Sequence, residues 1–340
     1  MKKLYVGIDL HSTNNVLGIS DEDDQKIYSK RLPNKPELVL AELEPFKDAI
    51  VGVVVESTFN WYWLVDLLME NGYRVHLANP PAIQKYKGLK HADDRYDSFW
   101  LAHLLRLGIL PEGYIYPKEQ RPIRDLLRKR LHLVQLRTSM INSLQAVLHR
   151  NCGTRLSTSK IKATGENHVL ASLPMQEDLQ FCGAVSKETI DYLTSQIKKI
   201  EKMILEKITL QERFHQLQTI PGVGIVLALT IMLETGSIER FSKVGNFTSY
   251  CRKVPTDWTS NNKSKGKGNK KNGNKYLSWA FAEAAEIGRR FDERVRAFYN
   301  HKAAKSNRMI AHSTLAHKIA RAAFFIMRDN VAFDHDKLFA

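Results

Sequence analysis

The sequence predicts an α/β domain at its start and a mainly α-helical remainder. Two observations carry the first part. Three runs of strand formers follow one another across short polar turns, and two further strand patterns then alternate with helical ones. One observation carries the second part: beyond about residue 119 the apolar residues recur at helical spacing nearly to the end of the chain.

In order, "LYVGIDL" (4–10), "VLGIS" (16–20) and "KIYSKRL" (26–32) read as strands of an antiparallel meander. "KPELVLAELEPFK" (35–47) has helical spacing, with Pro36 in its first turn. "AIVGVVVES" (49–57) is continuously apolar, as a strand buried on both faces should be. "FNWYWLVDLLMENG" (59–72) is an apolar helix stopped by Gly72, and "YRVHLANP" (73–80) is a fifth strand. "HADDRYDSFWLAHLL" (91–105) opens the next helix. The order βββ-α-β-α-β-α is that of a ribonuclease-H-like sheet, because a plain doubly wound fold would not begin with two hairpins.

Residues 119–150, "EQRPIRDLLRKRLHLVQLRTSMINSLQAVLHR", predict a long basic helix, and 151–185 read as irregular and polar. "SKETIDYLTSQIKKIEKMILEKITLQERF" (186–214) keeps an apolar stripe between charged flanks. It suits equally a coiled coil with a partner and an antiparallel arm packed within the chain. In "TIPGVGIVLALTIMLETG" (219–236) a turn through Gly222 and Gly224 leads into an apolar helix. That pattern fits a helix-hairpin-helix element whose N–H groups hold a phosphate, and equally a tight helix start packed in a core. From Ser260 to Lys275 the chain holds six lysines (Lys263, Lys265, Lys267, Lys270, Lys271 and Lys275) and no acid. Such a stretch between apolar segments predicts a loop inside a domain, mobile until it meets an anion. "YLSWAFAEAAEIGRRFDERVRAFYNH" (276–301) and "HSTLAHKIARAAFFIMRD" (312–329) then read as two amphipathic helices.

The 340 residues carry a formal net charge of +15, unevenly spread. Residues 1–110 hold 13 Lys and Arg against 15 Asp and Glu, and residues 111–340 hold 38 against 21. A basic two-thirds points to a polyanion partner, above all nucleic acid. No apolar run approaches a membrane span, and the start "MKKLYVGIDLHS" reaches Asp9 too soon for a signal peptide. Cys152, Cys182 and Cys251 have no metal or redox spacing. A cytoplasmic protein with reduced thiols and no membrane partner is expected.

The acids need a reason in so basic a chain. Asp9 ends the first strand and Glu56 the fourth, so strands that are adjacent and parallel bring both to one end. Asp94 and Asp97 are three apart on a helix and share a face that can pack over the same spot. Four convergent carboxylates repel unless a cation cancels them, and hard oxygen ligands suit Mg²⁺ or Mn²⁺. Two such ions about 3.5–4 Å apart serve phosphodiester chemistry by activating one oxygen and stabilising another. Asp93 is the spare, expected to cap the helix or face solvent. "VGIDL" is also similar to the first phosphate loop of actin-like ATPases, but their second phosphate loop and Gly-rich adenosine motif are missing from the sequence. A nuclease of the Holliday-junction type and a non-catalytic nucleic-acid-binding protein are the other readings.

Taken together, "GIDLHS", "VVVEST", "NP" after the fifth strand, "DDRYDSFWLA", "TIPGVG" and the late "VP…S…K…GNKYL" resemble the insertion-sequence transposases of the one-ten family. These are DEDD recombinases described as guided by a bridge RNA. The likeness runs from Asp9 to the last helices. It implies a RuvC-like nuclease domain over 1–150, a connector over 151–214 with a coiled-coil helix at about 186–214, and a C-terminal transposase domain over 215–340. It maps the acidic tetrad onto Asp9, Glu56, Asp94 and Asp97, and an essential serine onto Ser260, with Ser264 as the alternative. The implied reaction is DNA strand exchange through a covalent serine–DNA bond, at a site assembled between protomers of a dimer or tetramer. The implied partners are donor and target DNA and an element-encoded guide RNA, in the nucleoid. Asp93 and Ser98 stand where the family often has Thr and Ala, and the loop holds more Lys and less Gly than is usual there.

Overall fold

The computed structural model describes residues 2–83, 93–163, 168–207, 212–255, 257–261, 263–267 and 272–339. The chain divides into two units, Met1–Lys118 and Glu119–Ala340.

In the first unit five strands make one sheet: β1 (Leu4–Leu10), β2 (Asn14–Asp21), β3 (Lys26–Pro33), β4 (Ile50–Glu56) and β5 (Val75–Ala78). Their spatial order is β3-β2-β1-β4-β5. β1 pairs antiparallel with β2 and β2 with β3, while β1–β4 and β4–β5 are parallel. This mixed sheet is consistent with the ribonuclease-H-like order read from the sequence. The helices are α1 (Pro36–Leu43), α2 (Tyr62–Glu70), α3 (Pro80–Ile83) and α4 (Asp94–Arg106). Val6, Ile8, Val53 and Val55 face α1 and α2 and share a core with Val39, Leu43, Leu64 and Leu68. Val54 faces the other way and packs with Leu101 and Leu104 of α4. With both faces of β4 covered, its run of valines has no polar alternation to show.

Two glycines seat α4 on the sheet. Gly7 and Gly18 are partners across β1 and β2. A Cβ on Gly7 would stand 1.9 Å from the Ser98 carbonyl oxygen, and one on Gly18 would stand 2.6 Å from Ser98 Oγ. The helix therefore lies directly on bare backbone. Ser98 is fully buried there and donates its hydroxyl to the Arg95 carbonyl at 2.8 Å.

Among its described residues, the second unit's regular structure is helical apart from one hairpin. It comprises α5 (Arg121–Cys152), α6 (Thr158–Lys162), α7 (His168–Ala171), α8 (Glu177–Lys207), α9 (Glu212–Gln218), α10 (Ile225–Thr235) and α11 (Val244–Tyr250). The hairpin strands β6 (Asp257–Ser260) and β7 (Lys263–Lys267) follow, and then α12 (Lys275–Phe291), α13 (Glu293–Lys305), α14 (Arg308–Asp329) and α15 (His335–Phe339). α5 and α8 run antiparallel, tied by Arg130 to Glu201 at 2.8 Å and by Arg137 to Thr194 at 3.1 Å. Ile141, Leu144 and Leu148 of α5 meet Ile190 of α8 in a small core with Ile161 and Val169. A larger core gathers α9 to α14 around Phe214, Phe247, Phe281 and Phe324.

Four details differ from the sequence reading. Helix 121–152, read from the sequence with the first domain, packs within the second compact unit, its apolar face spent on α8 and α10. The stretch 151–185 holds α6, α7 and the first turns of α8. Residues 276–301 fall on two helices, because Asp292 leaves the helical conformation and caps α13 through Val295 N at 2.8 Å. Of the Lys-rich loop, read as mobile until it meets an anion, residues Lys263–Lys267 pair with Asp257–Ser260 as the β6–β7 hairpin. The apolar stripe of 186–214 is accounted for through residue 207 by packing within the chain. No helix among the described residues is long and apolar enough to cross a membrane.

Candidate active site

Ile8 pairs with Val55, the last pair in the β1–β4 register, so Asp9 and Glu56 are the next residues out on two adjacent strands. Both fall on the face that carries Gly7 and Val54, which is the α4 side of the sheet. Asp9 is buried at 3% exposure, and Glu56 is half-buried. Asp94 begins α4, and Asp97 follows one turn later, half-buried. Asp93 is exposed and caps the helix, its Oδ1 accepting from Tyr96 N at 2.7 Å, as the sequence led one to expect of the spare acid.

Asp9 and Asp94 meet at a residue that the sequence reading passed over. His11 Nε2 lies 3.2 Å from Asp9 Oδ2 and 3.4 Å from Asp94 Oδ2. One ligand atom from each of the three lies within 4.8 Å of the others. The signal was present in "GIDLHS", where His11 stands two residues past Asp9, just beyond the end of β1. The His11 backbone is pinned from two sides: its carbonyl accepts Asn34 Nδ2 at 2.9 Å and Asn60 Nδ2 at 3.0 Å. Arg31, on β3, donates to Asp94 Oδ2 at 2.5 Å. That hydrogen bond holds the Asp94 carboxyl below the usual carboxylate range, against a smaller upward push from desolvation, and the charge of His11 adds to the lowering. Asp94 is therefore ionised at neutral pH. Two carboxylates and an imidazole at this spacing form a donor set that a divalent cation such as Mn²⁺ or Mg²⁺ fits.

The second unit carries the other candidates. Ser260 is exposed at the end of β6 and pairs with Lys263 across the hairpin tip, where Asn261 takes a positive φ of 52°. Lys263, Lys265 and Lys275 are exposed. Ser264 and Lys267 lie on β7, and Lys270 and Lys271 lie outside the described residues. Gly222 has a packing duty. Its φ is 89°, and a Cβ there would stand 2.3 Å from the Ala284 carbonyl oxygen, with Gly288 of the same helix close against Pro221. Gly224 caps the start of α10 in open space, where an added Cβ would meet nothing within 4 Å.

A buried charge cluster, also missed from sequence, holds the base of the hairpin loop. Glu234 of α10, 1% exposed, accepts from Arg124 Nε at 3.0 Å, Arg128 Nε at 2.6 Å and Asn274 Nδ2 at 2.7 Å. Burial pushes its carboxyl up, but the hydrogen bond from Arg128 and the two guanidinium charges outweigh that and hold it low. Asn274 also caps α12 through Tyr276 N and Leu277 N, and its own N–H reaches the Tyr250 carbonyl at 2.6 Å. Arg252 donates to the carbonyls of Asn272 at 3.1 Å and Gly273 at 2.9 Å. Both ends of the loop are thus fastened. The lone acid in "LALTIMLETG" was the clue, because an acid inside an apolar helix needs buried partners.

A five-stranded mixed sheet of this order, consistent with a ribonuclease-H-like fold and followed by a helical unit, defines the class of protein. Two family models narrow the class: a DEDD-type IS110 model described as transposase matches residues 6–152, and one described as transposase of the IS116/IS110/IS902 family matches residues 214–300. The transposase for insertion sequence element IS1111A of Coxiella burnetii is 23% identical over 287 residues, covering 82% of this chain and 76% of its own. The transposase for insertion sequence element IS1328 of Yersinia enterocolitica is 23% identical over 291 residues, covering 83% and 85%. The chain belongs to the IS110 family of insertion-sequence transposases, and that membership makes it a DNA-transferring enzyme.

Proposed function

We propose that the protein is a metal-dependent transposase that cleaves and exchanges DNA strands through a covalent bond to Ser260. The observation that carries this reading is the meeting of Asp9, Asp94 and His11 on the α4 face, in a chain of this family. Asp9, Glu56, Asp94 and Asp97 are assigned as the carboxylates that hold Mg²⁺ or Mn²⁺, as two ions. A cation bound there supplies charge stabilisation to the reacting phosphate and the departing oxygen. The chain's own residues do the rest. His11 stands beside Asp9 and Asp94 as a further donor, Asn34 and Asn60 hold its backbone carbonyl, and Arg31 keeps Asp94 ionised. Ser260 Oγ forms a bond to a DNA phosphorus as one P–O ester bond of the strand breaks. The hydroxyl proton leaves, and the departing strand end gains one. Lys263, Lys265, Lys267 and Lys275 are assigned to the flanking phosphates. Guidance by an element-encoded RNA, a RuvC-like ancestry of the first unit, and assembly as a dimer or tetramer complete the proposal.

The test is an adduct assay. The protein is expressed from its native element, so that any encoded RNA is supplied, and incubated with element-junction DNA and Mg²⁺. Protein-linked DNA is then sought on a denaturing gel beside Ser260→Ala and Asp94→Ala. An adduct lost in both variants is expected. Clean cleavage without adduct, unchanged in Ser260→Ala, would replace the proposal with a plain metal nuclease.

A further inference from the structure

We infer that the cleft between α5 and α12 in the second unit binds single-stranded nucleic acid, with one unpaired base stacked on Trp279. The cleft has a volume of about 610 Å³ and is lined from one side by Lys129, His132 and Gln135, and from the other by Lys275, Tyr276 and Trp279. Its two walls differ in chemistry. The α5 wall is polar and cationic, with Lys129, His132 and Gln135 all exposed. The α12 wall is aromatic, with Tyr276 and Trp279 one turn apart and half-buried. Tyr276 is already engaged: the Arg128 guanidinium sits 4.5 Å and the Lys275 ammonium 5.1 Å from its ring centre. Trp279 rests on the large core by part of its surface and offers the remainder to the cleft.

An apolar metabolite would call for a mostly apolar and enclosed lining, which this cleft lacks. A bare anion would have no use for the aromatic wall. A nucleotide uses both walls, with its base on an aromatic face and its phosphates on cations at the rim. Arg128 is committed to Glu234, and Asp125 at the edge opposes a phosphate, so Lys129 and Lys275 are the working charges. The base must be unpaired, because a duplex keeps its base faces covered by stacking. Lys275 opens α12 directly after Asn274, the residue that fastens the loop carrying Ser260. A strand in the cleft would thus leave it at the base of that loop. The inference rests on the transposase reading only in that a nucleic-acid strand is at hand.

The test uses the full chain in EDTA, so that binding is read without cleavage. Matched deoxy- and ribo-oligonucleotides of one sequence, and the corresponding duplex, are titrated by fluorescence anisotropy. Trp279→Ala is expected to weaken binding of a single strand by about 5- to 100-fold, the loss of one stacked base, with Trp279→Phe close to wild type and duplex binding unchanged. Since Trp279 touches the core, the exposed Lys129→Glu serves as a second variant, expected to weaken the same binding and flatten its salt dependence. Iodouracil-bearing strands should cross-link to the peptide containing Tyr276 and Trp279. A loss with either oligonucleotide supports the inference, and which one shows it says whether the strand is DNA or RNA. Wild-type affinity in both variants for both oligonucleotides, or cross-links that map elsewhere, overturns it. If that happens while the Ser260 adduct still forms, the cleft assignment has failed and the transposase chemistry stands. Cleft binding without an adduct means the reverse.

Discussion

Gly7→Ala should take apart the acid cluster without touching an acid. The new Cβ would stand 1.9 Å from the Ser98 carbonyl oxygen and 2.9 Å from Ala102 N, and real Cβ atoms essentially never come closer than 3.0 Å. Both neighbours are helix backbone, so no side chain can swing away. α4 must retreat by at least about 1.1 Å, the gap between those two distances. Overpacking of this kind costs about 1–3 kcal/mol. Because Asp94 rides on the moving helix and Asp9 on the fixed strand, their meeting at His11 opens by a similar amount. A misplacement of about 1 Å at reacting groups is worth on the order of 100-fold in rate. The assay pairs thermal unfolding with Mn²⁺ titration and strand cleavage on purified protein. Lower melting, weakened Mn²⁺ binding and a large loss of cleavage are expected together. Gly245→Ala is the control, since its Cβ would meet nothing within 4 Å inside α11, and it should be neutral or slightly stabilising. Wild-type melting and Mn²⁺ affinity in Gly7→Ala would show that bare backbone at this position does not seat the helix, and the reasoning would fail.

Three further outcomes are expected. His11→Ala should weaken Mn²⁺ binding by about 10- to 100-fold in calorimetry, because the imidazole touches both carboxylates. Glu234→Gln strips the charge that Arg124 and Arg128 bury against, so chemical unfolding should report a loss of about 3–5 kcal/mol. The Glu234 carboxyl is held below its ordinary value near 4.5, so its contribution to stability is fully present above that pH and is lost as pH falls through the lowered value. Acid unfolding curves of Glu234→Gln should lack that part of the slope. Gly222→Ala meets both a φ of 89° and the Ala284 carbonyl at 2.3 Å, and should melt earlier in a thermal scan, by about 1–3 kcal/mol or more in stability.

Much of the first unit was legible because it is written in short-range patterns. Alternation marks β1 to β3, an unbroken apolar run marks β4 as central, and the crossover helices leave few sheet orders open. From that order alone Asp9 and Glu56 fall at neighbouring strand ends, and the i, i+3 spacing puts Asp94 and Asp97 on one helix face. Tertiary structure decided the rest, because it turns on contacts between residues far apart in the chain. An apolar stripe on 186–207 says that something covers it, but only packing names α5 as the cover and groups the two helices in one compact unit. A lone glutamate at 234 demands partners, but only the fold brings Arg124, Arg128 and Asn274 to it. His11 gained its place in the same way. The chain carries it two residues past Asp9, and only when Gly7 and Gly18 let α4 down onto the sheet does Asp94 arrive to share it.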